Sequence, residues 1–134
     1  MENLKLVNYK QALQLKNLKF NIGAECVYLL GHKTLVVDLF DNHNTDKSIV
    51  SYSNKVYKCI DAPPVVVALK WIRDEKKLIF NTLGVFNGKY GYRIFVKYHT
   101  EYDIEYKYSI TNYESNDIAE TELLNELLYI LENK

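Results

Sequence analysis

Apolar and polar residues change their spacing several times along the chain, and each spacing predicts an element. Between Tyr9 and Leu18 the apolar residues Ala12, Leu13, Leu15 and Leu18 recur at helical intervals, and Asn8 with Gln11 has the spacing of a capping box. A first helix is predicted over 9–18. Two apolar runs, at 25–30 and 34–40, flank Gly31-His32, and a short Gly-containing connection between such runs reads as a hairpin. The polar run Asp41-Asn42-His43-Asn44-Thr45-Asp46 predicts a surface loop, and residues 49–60 add one short strand. Pro63 and Pro64 disfavour helix at the residues before them but suit a first helical turn, so a second helix starts near Pro64. Val65, Ala68, Leu69 and Ile72 form its apolar stripe. The β-prone segments 78–86 and 90–98 flank Asn87-Gly88, the pair that most readily forms a type I′ turn, and 102–110 alternates apolar with charged residues. Thr111 and Glu114 have capping-box spacing ahead of a long helix carrying Ile118, Leu123, Leu124, Leu127, Leu128 and Leu131.

This order predicts an α+β fold: a single antiparallel sheet of about five or six strands with three helices packed mainly on one face. No linker composition interrupts 1–134, so one domain is expected. The two helix-then-hairpin blocks do not align at a fixed period, so they are not read as a repeat.

Composition narrows the function classes. The 17 basic residues balance 17 acidic ones, leaving no long-range field toward nucleic acid or an anionic membrane, so binding to either requires a local patch. No apolar run approaches the roughly 18 residues of a membrane span and no signal-peptide succession opens the chain, which points to the cytoplasm and to no membrane partner. Cys26 and Cys59 lie outside any C-x-x-C spacing and read as free, core-directed thiols, with a disulfide only if the sheet joins them.

Two segments carry a family pattern. Tyr9-Lys10-Gln11-Ala12-Leu13-Gln14-Leu15-Lys16-Asn17-Leu18-Lys19-Phe20 matches a Y-x-x-A-x-x-L-K-x-L-G-F opening, with Lys19 in place of the Gly. Ala62-Pro63 leading to Ala68-Leu69-Lys70-Trp71-Ile72-Arg73-Asp74-Glu75-Lys76 is similar to a central A-P-x-x-x-x-A-x-x-W-x-R-x-K helix, and Tyr113-Glu114 to a closing Tyr-Glu helix. In these features the chain resembles a family of small uncharacterised proteins of phages and mobile elements of Bacteroides-like bacteria. The resemblance implies a bacterial host cytoplasm and a host or phage macromolecule as partner, and it carries over no catalytic residue. If the position of Lys19 is left-handed, a non-Gly residue there costs up to about 1 kcal/mol.

Candidate chemistry is sparse. Asp38, Asp41, His43 and Asp46 offer oxygen and imidazole ligands, but without a turn Gly, a bidentate Glu or a second His at helical spacing they read as a solvated loop, and no metal or cofactor is expected. His32 and His99 read as surface residues without a nucleophile beside them. Glu101, Asp103 and Glu105 share a strand face and read as partners for Lys97 and Lys107 across the sheet. The glycines lack phosphate-loop and dinucleotide spacings.

The 12 tyrosines are the compositional excess. Tyr90, Tyr92, Tyr98, Tyr102, Tyr106 and Tyr108 are read as one cluster on adjacent strands, either a recognition surface or, as alternation with charge favours, a core under the helices with hydroxyls at the rim. Phe95 falls on the other face, between Arg93 and Lys97, and these three are the candidate binding residues. Trp71 lies off the main stripe of its helix and either packs or marks a contact surface. The readings that follow are, in order, a non-enzymatic module binding a macromolecular partner, a nucleic-acid or nucleotide binder, and a small enzyme whose groups converge only in three dimensions. The leucine-rich last helix also suggests a homo-oligomer formed through it.

Overall fold

The computed structural model describes residues 5–37, 49–85, 88–97 and 104–133, with the backbone alone at 51, 85, 95–97 and 104–112. The chain divides into two compact units, Met1–Val65 and Val66–Lys134.

In the first unit, helix α1 (Tyr9–Asn17) starts at the expected capping box: Gln11 N donates to Asn8 Oδ1 at 2.8 Å and Asn8 N to Gln11 Oε1 at 2.9 Å. This accounts for a Gln side chain on a fully buried residue. The helix ends in a Schellman motif, with Phe20 N donating to Leu15 O and Lys19 N to Lys16 O, and Lys19 takes the left-handed position at φ 70°. Strands β1 (Cys26–Leu29), β2 (Leu35–Val37), β3 (Ile49–Tyr52) and β4 (Lys55–Asp61) form an antiparallel sheet in the order β2-β1-β4-β3. Gly31, at φ 85°, lies in the turn between β1 and β2. The single strand expected over 49–60 is instead a hairpin. Tyr52 pairs with Lys55 across Ser53-Asn54, both at positive φ as a type I′ turn requires, and without a Gly the turn has no strong local signature.

Val27, Leu29, Val50 and Cys59 make one face of this sheet into a core, flanked by Val36 and Tyr57. Helix α1 packs on β4. Tyr28 donates its hydroxyl to Val7 O at 2.7 Å, Tyr9 Oη accepts from Gly31 N at 2.9 Å, and the two rings meet edge to face. Val27 pairs with Asp61 and Leu29 with Cys59, so alternation puts Cys26 and Cys59 on opposite faces, where both are free thiols.

Helix α2 (Val65–Lys76) starts directly after Pro64. The expected stripe of Val65, Ala68, Leu69 and Ile72 is buried, while Lys70 and Asp74 pair at 2.7 Å on its exposed side. Lys77 follows the helix at φ 57°. Strands β5 (Ile79–Val85), β6 (Lys89–Lys97) and β7 (Ile104–Tyr113) form the antiparallel order β5-β6-β7. Val85 pairs with Lys89, leaving a connection at 86–88 in place of a two-residue turn. Asn87 lies outside the described residues, and Gly88, at φ 71°, supplies the left-handed position that three-residue hairpin loops use.

Helix α3 (Asn116–Glu132) packs on β6, flanked by β5 and β7. Its cap is Ser115, whose hydroxyl accepts from Ile118 N at 3.2 Å, and not the expected Thr111. The reason is that β7 continues to Tyr113, which pairs with Tyr90, so the backbone of Thr111 is already in a strand. Leu123, Leu124, Leu127 and Leu128 are at most 1 % exposed, whereas Ile118 and Tyr129 are about half exposed.

The fold is therefore α+β with antiparallel sheets, but the strands form two sheets instead of one. Strand β4 is already paired on both edges, by β1 and β3, so β5 has no position beside its chain predecessor. Pairing with β6 closes only a short loop and carries a smaller entropic cost.

Candidate functional site

Strand β6 alternates between two faces of the second sheet. Tyr92 and Ile94 are buried, at 8 % and 0 %, on the face that carries α3. The Tyr92 ring stacks on Tyr113 with centroids 6.3 Å apart and planes 10° from parallel. Burial, followed by the charges of Tyr113, Glu126 and Glu122, pushes the Tyr92 phenol up to about 12. Tyr92 thus behaves as a neutral core residue, as expected for the tyrosines under the helices.

The register separates the remaining strand tyrosines. Phe95 pairs with Tyr106 and Arg93 with Tyr108, so an even-numbered β6 position meets an odd-numbered β7 position throughout this ladder. Residues directly opposite in an antiparallel pair share a face. Tyr106 and Tyr108 consequently occupy positions on the Arg93 and Phe95 face, away from Tyr92 and Ile94, which corrects the expected single cluster. Tyr98 and Tyr102 lie outside the described residues. The same register places Glu105 opposite Val96 and Lys97 opposite Ile104, so the strand positions of Glu105 and Lys97 fall on opposite faces of the sheet. Glu101 and Asp103 also lie outside the described residues.

The candidate positions Arg93, Phe95 and Lys97 therefore alternate along one face of the central strand. On β7 they are bordered by Tyr108, Tyr106 and Ile104; on β5, Asn81 lies opposite Arg93 and Ile79 opposite Phe95. Arg93 is half-buried and Ile79 is 65 % exposed. The side chains of Phe95 and Lys97 lie outside the described residues, and their place rests on backbone register.

Trp71 does not join this row. It is 5 % exposed, with Lys76 Nζ 5.3 Å from its ring centroid, and acts as a packing residue. Arg73 similarly covers the buried Phe80, its guanidinium carbon 4.5 Å from the ring centroid.

Four exposed apolar residues in the first unit were missed by sequence reasoning: Leu35, Val37, Ile49 and Val56, at 44–68 %. Their partners Tyr28, Cys26, Lys58 and Ser51 put all four on one face of the sheet. Strand periodicity alone gives no sign of which apolar face stays open.

Asp38, Asp41, His43, Asp46 and His99 lie outside the described residues, and among those described no group of three or more His, Cys, Asp or Glu is placed to hold a metal. His32 is exposed in the turn after β1, edge-on to Tyr57 at 5.5 Å. Among the described residues no helix is long and apolar enough to cross a membrane. No protein family, curated protein or solved structure matches the chain.

Proposed function

We propose that the chain is a non-enzymatic binding module that acts by occupying a macromolecular partner, in the setting its resemblance to phage and mobile-element proteins implies. The observation that supports this is the alternation of Arg93, Phe95 and Lys97 on one face of β6 beside Tyr106 and Tyr108 of β7. Aromatic residues offer large contact area at low entropic cost, and a sheet holds their spacing. The test is affinity capture from a Bacteroides-like host lysate with wild-type protein and Phe95→Ala, each checked for fold by circular dichroism. A partner held by the wild type and lost by the variant supports the reading. Retention unchanged in Phe95→Ala, Arg93→Ala and Lys97→Ala overturns this face as the binding surface.

A second reading, single-stranded nucleic acid as the partner, draws on the charge of the same row. Arg93 and Lys97 bracket Phe95 on the same face of the strand, so two cationic positions flank one aromatic position. Stacking on Phe95 is worth about 1–3 kcal/mol per base. Each phosphate contact contributes about 0.7 to the slope of log affinity against log salt. Lys97→Ala is expected to reduce the slope for a single-stranded oligonucleotide by about 0.7; affinity independent of salt rules this reading out.

A further inference from the structure

Strand β7 is ten residues long, and among the described residues only β6 pairs with it, leaving its other edge without a strand. An edge of this length offers a row of backbone donors and acceptors, and natural edges guard it with proline, bulges or charge. Within Ile104–Tyr113 there is no proline, and the ladder with β6 shifts register between Tyr90 and Tyr92, so the regular edge is Ile104–Ser109, whose charged residues Glu105 and Lys107 lie on either side of Tyr106.

We infer that this edge pairs with β7 of a second copy of the chain, antiparallel and centred on Tyr106. In that register Glu105 of each copy lies opposite Lys107 of the other, Ile104 lies opposite Tyr108, and Tyr106 meets its own counterpart. The contact is isologous, as closed two-fold dimers require, and it repeats the opposite-charge pair twice. Neighbouring registers that keep the same faces together are disfavoured by the same residues. Centring on Glu105 brings two carboxylates face to face, and centring on Lys107 brings two ammonium groups together. A charge pattern that would guard an edge if it carried one sign therefore selects a single self-pairing. Because the register joins like-numbered faces, it links two three-stranded sheets edge to edge with both α3 helices on the same side.

The partner surface is distinct from α3, whose central leucines are buried within their own chain. It also does not depend on the proposed macromolecular partner, since it uses the edge of the sheet and not the Arg93–Phe95 face.

Sedimentation velocity of the full chain over a wide concentration range tests the inference. A reversible dimer is expected. Glu105→Lys and Lys107→Glu, each of which creates two like-charge pairs, should each weaken it about tenfold, and the double variant Glu105→Lys/Lys107→Glu should recover it. A monomer at every concentration, a dimer indifferent to the single reversals, or a double variant weaker than both singles overturns it. Amide hydrogen exchange on the wild type needs no variant. Protection that rises with concentration at alternate amides of β7 supports the edge contact, and protection rising in α3 with β7 unchanged overturns it.

Discussion

Lys19 shows how one residue can match a helix-ending motif and still strain it. The structure gives the position φ 70° with both Schellman hydrogen bonds formed, so the backbone has the left-handed form while the side chain opposes it. Lys19→Gly is expected to stabilise the protein by about 0.5–1 kcal/mol, read as a higher urea midpoint, with Lys19→Ala giving no such gain. Tyr92 carries a different residue-scale consequence. Its phenol titrates near pH 10 when exposed and is pushed up to about 12 in the fold, mainly by burial, so the folded state holds a proton that the unfolded state releases. The associated stability is complete below about pH 10 and is lost as pH rises toward 12. Urea midpoints across that range should fall less steeply in Tyr92→Phe than in the wild type. Phe95, of opposite parity to Tyr92 along β6, was legible as falling on the other face, but the strand positions beside it were not.

At the scale of elements, local patterns located the helices well. The Asn8–Gln11 box, the stripe of α2 and the leucines of α3 each depend on residues within a turn or two of one another, and all three helices form where those patterns lie. The boundaries followed long-range pairing instead. Thr111 and Glu114 have the spacing of a cap, but pairing of Tyr113 with Tyr90 carries β7 past Thr111, and Glu114 is taken up in an ion pair with Lys89. Ser115→Ala should cost about 1 kcal/mol, the usual worth of an N-cap, measured by thermal or urea denaturation. A comparable loss from Thr111→Ala with Ser115→Ala neutral would contradict the observed start of α3. Hairpins divide in the same way: Asn87-Gly88 announced the β5–β6 connection, although the ladder closes around three residues, while Ser53-Asn54 adopts two positive φ angles with no Gly to announce them.

At the scale of the whole molecule, the chain builds an antiparallel sheet in each of two compact units. Alternation within single strands made the α+β class and the two alternating faces of β6 readable from local spacing. The number of sheets was not readable, because it depends on which distant strands pair: β4 takes β1 and β3, whereas β5 pairs with β6. The candidate row shows the same division. Arg93, Phe95 and Lys97 are two residues apart and share a face by strand geometry alone. That Tyr106 and Tyr108 join them, instead of lying under α3 with Tyr92, follows from an odd–even register between β6 and β7. A one-residue slip would exchange the two sets, since each step along a strand reverses the face. The sequence by itself determined the local elements and the alternating faces, which arise from contacts between near neighbours. The tertiary structure decided the sheet membership, the cap of α3 and the company of Phe95, because those depend on which distant strand occupies each edge and in what register.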